Sequence, residues 1–441
     1  MFDESKRLEQ RLIAEALRHV VAWHHKENDT LSQAISHLPE RPTPADVAAC
    51  IRLLRVALRE PSPFLHDCAL AVFVGAPLFG ALQAAVARLP APASTLDLFG
   101  DLRAEANGVL RSSQKGLRPI LDFFRGKWSA FMGERVGTVL FHRYCPFDPK
   151  VFARNSSGQF MEEQFHDRHG KCLAIDWTVG PTPTVEDHLA PETTAAIEAL
   201  ENRTSSCFPH TMWVYVNIQS LQGASERRRS TALFEASKRH PHAFRVASIS
   251  VDAPFYLGKV PHLKTLDDHK KNLLQELHKG FHPTLQSWYA FSLLEGEHQL
   301  WWHIVEEVVE KAAALAETAD DTITSFHELM VLGLVRAWQG FCCRQRDGWV
   351  MSTVACKECI DRGGSINAAF VWALSKKEEP ERAKEVMAVL WGRPLLARNR
   401  LIVSLRTEGF EALVRAFPPE WVERFLDDVW QKACQGLWRR T

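Results

Sequence analysis

The stretch Cys356, Lys357, Glu358, Cys359, Ile360, Asp361, Arg362, Gly363, Gly364 sets two thiols three residues apart and an arginine six residues after the first thiol. Several chemistries use such residues. Half of a zinc site is one, but the nearest other cysteines, Cys342 and Cys343, are adjacent on a helical pattern. Structural zinc prefers paired CxxC-type chelates, and neighbours on a helix do not face one ion. A dithiol redox pair is a second. It normally follows the first strand of a βαβ unit with small or aromatic residues between the sulfurs, and Lys357-Glu358 is a poor match. A third is phosphoryl transfer. A C-x5-R loop wraps backbone N–H groups around one phosphate, and the helix that follows adds its dipole and unpaired amides. The same field favours a thiolate at Cys356, the nucleophile for in-line attack on phosphorus through a phosphocysteine. The planar fork of Arg362 binds two equatorial oxygens in the transition state. Gly363 and Gly364 let the backbone bend close to the ligand. A purely structural loop is the fourth alternative.

The elements around the motif suit the third chemistry. "WVMSTVA" (349–355) predicts a short buried strand before Cys356, and "SINAAFVWALSKK" (365–377) a helix after Arg362. Upstream, "TMWVYVNIQSL" (211–221) and "AFRVASISVDAPFY" (243–256) alternate as strands, with "ASERRRSTALFEASKRH" (224–240) helical between them. Strand–helix–strand is the raw material of an α/β unit. "VGTVLFHRYCPFD" (136–148) and "KCLAIDWTVG" (171–180) also look strand-like, while 299–317 and 324–344 predict strong helices. Residues 364–440 predict mostly helix, broken at prolines 380, 394, 418 and 419. The first third predicts helices only. The expectation is an α-rich α/β chain with a helical N-terminal region over 1–134 and a catalytic domain over 135–441, its central sheet flanked by helices.

The loop resembles those of the cysteine-based phosphoinositide phosphatases. The Sac group carries C-x-D-C-L-D-R-T-N, which Cys356, Cys359, Asp361 and Arg362 match, with Glu358 and Ile360 as near substitutes. The inositol-polyphosphate 4-phosphatases and related secreted bacterial effectors carry C-K-S-x-K-D-R-T, matched by Cys356, Lys357, Asp361 and Arg362. Protein tyrosine phosphatases prefer H-C-x-x-G-x-x-R-S/T; here Ala355 precedes the cysteine and Cys359 stands at their glycine. The resemblance covers about ten residues. It implies a CX5R phosphatase-like domain and a metal-independent, cofactor-free hydrolase of phosphoinositides or inositol phosphates. It further implies a protein that is cytoplasmic or, as a bacterial effector, secreted into a host cytosol, and that works at anionic membranes. Cys356 is then the nucleophile and Arg362 the phosphate binder. Lys357 gives a second positive charge for a polyanionic head group, and Asp361 donates a proton to the leaving oxygen. Glu358, Cys359, Ile360, Gly363 and Gly364 complete the cradle. Where the family places Thr or Ser after the arginine stands Gly363, with Ser365 two residues on, which favours a rival expectation of phosphoinositide binding without turnover. A tyrosine or dual-specificity phosphatase is a further alternative.

Other residues bear on the same chemistry. Asp252 in "SVDAPF" is a rival acid or a turn-starting cap. Asn217, Gln219 and Arg227 to Arg229 put amides and cations at a strand end, with Arg229 the candidate for a second phosphate and Ser225 a candidate cap. Lys264, Lys270, Lys271 and Lys279 could face an anionic membrane or simply be solvated, and the amphipathic C-terminus around Trp421, Phe425 and Trp430 could do so or dock on the core. The 441 residues balance 53 basic against 53 acidic side chains, which argues against a nucleic-acid partner. Ten scattered cysteines suit a reducing compartment. No uninterrupted apolar run suggests a signal peptide or a membrane span, so a soluble chain, peripheral at membranes, is expected.

Overall fold

The computed structural model describes residues 91–107 and 158–441, apart from 101 and the short gaps 180–181, 186–187, 190, 203–209, 220, 254–262, 282–286, 345, 347, 358, 360 and 399–400. The expected N-terminal helices, and the strand expected at 136–148, fall almost wholly outside these residues. The chain divides into two compact units, one of 1–90, 104–155 and 395–400, the other of 91–103, 156–394 and 401–441. In the first, the described residues are 104–107 and 395–398, all helical. The second unit carries the sheet and the loop.

Its strands are β1 (Gly158–His166), β2 (Cys172–Val179), the short β3 (Thr184–Val185) and β4 (His188–Leu189), β5 (His210–Asn217), β6 (Phe244–Ile249), β7 (Tyr289–Phe291), β8 (Gly348–Ala355) and β9 (Arg439–Arg440). The main sheet has seven strands in the order β7-β6-β5-β8-β2-β1-β9. The central four, β6-β5-β8-β2, run parallel, and β7, β1 and β9 are antiparallel additions. The protein is thus mixed α/β, as expected. The strands expected at 349–355, 211–221, 243–256 and 171–180 are all found, but β8 gains Gly348, β5 runs from His210 to Asn217 and β6 ends already at Ile249.

The helices are α1 (Pro191–Asn202), α2 (Ala224–Arg239), α3 (Leu266–Lys279), α4 (His298–Ala316), α5 (Thr322–Cys343), α6 (Arg362–Leu374), α7 (Glu381–Arg398), α8 (Glu408–Ala416) and α9 (Pro419–Ala433). Pro394 sits inside α7 rather than ending a helix, whereas Pro419 opens α9, where its missing N–H has no partner to lose. Ile197 and Leu200 of α1 and Leu233 and Ala236 of α2 cover one sheet face, packing on Tyr215, Phe244 and Val246. On the other face lies α5, buried from Ser325 to Cys343. A helix buried on every side must be enclosed, and α4, α8 and α9 pack against it. The C-terminal amphipathic stretch therefore docks: Phe425, Val429 and Trp430 are buried, and Trp421 stays exposed.

Candidate anion site at the carboxyl end of the sheet

Parallel strands end together. Across the register, Asn217 of β5 lies opposite Ser248 of β6 and Ala355 of β8, and Thr178 of β2 lies opposite Thr353. The segments that follow, around Thr182, Gln219, Asp252 and Cys356, form one edge. In parallel α/β sheets ligands bind outside such an edge.

The cysteine loop leaves the central strand there and runs directly into α6. Its first carbonyls are tied down. Val354 O accepts from Asn367 Nδ2 at 3.0 Å, Ala355 O from the Ile218 N–H at 2.7 Å, and Cys356 O from the Thr182 N–H at 3.3 Å. The Cys359 N–H also reaches Cys356 O, at 3.1 Å, closing a tight turn. At its corner Cys359 has φ +51°, the left-handed conformation that glycine adopts without steric cost. Its sulfur points under the loop to Val354 O at 3.3 Å and is fully buried. Cys359 is therefore a support beneath the loop, and neither its sulfur nor its N–H is directed to a ligand. Glu358 and Ile360 are not among the described residues.

The expected purpose of the glycines needs correcting at Gly363. A Cβ there would stand 2.9 Å from Cys359 Sγ and 3.3 Å from both Ala355 Cα and Cys356 N, so the loop's own packing demands glycine. At Gly364 nothing lies closer than 3.8 Å to that point, and a methyl group would fit.

Cys356 is 5% exposed. Arg362, the first residue of α6, turns its fork towards two carboxylates: Nη2 binds Glu226 Oε1 at 2.6 Å and Nη1 binds Asp252 Oδ2. Burial alone would lower its pKa, but the Glu226 bond and the charges of Cys356, Glu226 and Asp252 outweigh it and raise the pKa. A guanidinium has five N–H donors, so two carboxylate bonds do not exhaust it.

Two of these partners were not foreseen. Glu226 was hidden in the run "ERRRS", and Arg406, whose Nη1 reaches Asp252 Oδ1 at 2.5 Å, lies in a segment without any motif. Asp361, the expected acid, caps α6 without a side-chain cap bond, and its Oδ1 accepts from the Val403 N–H at 3.5 Å. Asp252 is one of the two carboxylates on Arg362. Lys357 is exposed.

Beneath the loop lies a buried polar net. Asn217 Nδ2 donates to Ser230 Oγ and Ser248 Oγ, both at 2.8 Å. Gln219 Nε2 donates to Thr182 Oγ1 at 2.7 Å and to Asn217 Oδ1 at 2.8 Å. Arg229 Nε donates to Gln219 Oε1 at 3.0 Å, so that edge of its guanidinium serves the net. Asn217 and Gln219 are completely buried and fix the strand ends rather than face a substrate. Gly223, not Ser225, is the N-cap of α2.

No family model, no curated protein and no solved structure matches the chain.

Elsewhere, Cys342 and Cys343 are buried in α5, and burial pushes the Cys342 thiol up to about 12. Among the described residues no group of three or more His, Cys, Asp or Glu side chains is placed to hold a metal ion. Lys270 pairs with Glu310 at 2.6 Å and Lys279 with Glu276 at 2.5 Å, which ties up part of the basic stretch. Among the described residues no helix is long and apolar enough to cross a membrane.

Proposed function

We propose that loop 356–362 is the phosphate-binding nucleophile loop of a cysteine-dependent phosphatase with a CX5R-type fold, acting on phosphoinositides or inositol phosphates. The observation that carries this is the loop itself, which leaves the central parallel strand at the buried Cys356 and enters a buried helix at Arg362. The left-handed Cys359, at the position tyrosine phosphatases give to glycine, supports the same reading. Lys357 and the resemblance of CKECIDR to the lipid phosphatases favour an inositol substrate over a phosphoprotein.

The Cys356 thiolate attacks phosphorus as the ester P–O bond breaks, so the phosphoryl group passes to sulfur. Arg362, held square by Glu226, meets the equatorial oxygens. The leaving oxygen takes a proton from a carboxyl group; Asp252 is ion-paired with both Arg362 and Arg406, so that role falls to Asp361 at the start of α6. Water then attacks phosphorus, releasing phosphate and restoring the thiolate.

A second reading, phosphate binding with little turnover, is favoured by one observation. The space where the family's post-arginine hydroxyl would sit is filled by Cys359 Sγ. A phosphate-release panel across the phosphoinositides separates the two. Turnover by wild type, lost at least about a thousandfold in Cys356→Ser and about a hundredfold in Arg362→Lys, is expected for the phosphatase. Full release by Cys356→Ser would refute it, and tight binding without release selects the second reading.

A further inference from the structure

Asp252 is shared by two arginines from separate segments. Arg362 Nη1 holds Oδ2 and Arg406 Nη1 holds Oδ1 at 2.5 Å. Arg406 ends the 3-10 turn Ser404–Arg406. The residues before it are seated on the cysteine loop. The Val403 N–H donates to Asp361 Oδ1 at 3.5 Å, and Ile402 Cδ1 lies 3.9 Å from where a Cβ on Gly364 would stand. Arg406 thereby meets the carboxylate on one arm of Arg362, while Glu226 binds the other arm. Both guanidiniums keep some contact with solvent, at 13% and 23% side-chain exposure. Two planar forks that converge on one carboxylate offer the donor set that an oxyanion selects.

We propose that Arg406 is a specificity-determining second cation, and that Asp252 occupies the place a second anionic group of the ligand would take. This rests on reading 356–362 as the phosphate loop. With one phosphate against Cys356 and Arg362, a phosphate on the neighbouring carbon replaces Asp252 on Arg406. The ligand class is a pair of phosphate monoesters on adjacent hydroxyls of one ring. Free inositol phosphates and lipid head groups share that chemistry.

The test uses the full chain carrying Cys356→Ser, so that binding is read without turnover. Titration calorimetry compares an inositol monophosphate, an inositol bisphosphate with phosphates on adjacent carbons, and phosphatidylcholine vesicles carrying the matching bisphosphorylated lipid. Adding Arg406→Gln is expected to weaken the bisphosphate about tenfold and the monophosphate less than about twofold. Arg406→Lys should restore part of that loss. Asp252→Asn, which removes the competing anion, should tighten the bisphosphate and keeps the test alive if the glutamine variant does not fold. An effect of Arg406→Gln on the free bisphosphate shows that the phosphate pair suffices; an effect on vesicles alone assigns the lipid head group. Equal weakening of mono- and bisphosphate, or none, overturns the role of Arg406 and leaves the phosphate loop standing. No binding of any probe overturns both.

Discussion

At Gly363 the room for a side chain is already taken by the Cys359 sulfur and the loop backbone, while one residue on, at Gly364, it is open. The two glycines of one motif should therefore respond in opposite ways. Gly363→Ala should cost about 1–3 kcal/mol, because a fixed, buried sulfur and backbone must move. Gly364→Ala should be neutral or gain up to about 1 kcal/mol, since alanine is the better helix former. Adding Cys359→Ala to Gly363→Ala should recover part of the loss, a coupling that two independent sites would lack. Denaturant unfolding of the four variants measures it, and strict additivity would contradict the packing described. The sequence shows two glycines after an arginine; it does not show which one the loop needs, because that depends on where the Cys359 side chain turns.

At the scale of elements, the sheet edge is fastened to α5 by a buried ion pair. Arg336 binds Glu163 of β1 through Nη1 at 2.8 Å and Nη2 at 3.0 Å, Trp177 Nε1 donates to the same carboxylate at 2.7 Å, and Arg440 of β9 closes in at 3.2 Å. Burial pushes the Glu163 carboxyl up, but the two arginines and their bonds outweigh it and hold it below the usual range. Arg336→Met, which leaves the buried Glu163 carboxylate with Trp177 and Arg440 alone, should destabilise by about 3 kcal/mol in chemical unfolding, and a loss below about 1 kcal/mol would contradict the pairing. A second contact, between α3 and α5, makes stability depend on pH. His327 Nε2 and His269 Nδ1 lie 2.8 Å apart in the core. Burial and the neighbouring His269 drive His327 from the ordinary 6.5 to about 3, and burial lowers His269 as well. Between those values the unfolded chain binds more protons than the folded one, so stability falls as pH drops below 6.5 and is level above it. From pH 7.5 to 5.5 His327 alone should cost about 1.4 kcal/mol, a share that His327→Gln should lack. Equal losses in both proteins would contradict the buried neutral pair.

Across the whole molecule, what was legible in the sequence is what local patterning encodes. The apolar run into Cys356, the strand–helix–strand at 211–256 and the apolar-rich α5 each announce themselves within a dozen residues or so. The edge of the sheet does not: β1 reads "GQFMEEQFH", and its Glu163 is inward only because Arg336 waits there, while β9 is two arginines long. The site divides in the same way. Cys356 and Arg362 belong to one motif and Asp252 is offered by its strand end, whereas Glu226 and Arg406 reach Arg362 or its partner from distant parts of the chain and no spacing betrays them. The central claim is that sulfur 356 carries the phosphoryl group in turnover. Rapid acid quench of the protein with a phosphoinositide, followed by peptide mass spectrometry, tests it most directly. The account predicts a phosphoryl adduct on Cys356 that forms and decays within the turnover and is missing from Cys356→Ser; phosphate release from wild type with no such adduct, or an adduct on another residue, would contradict it.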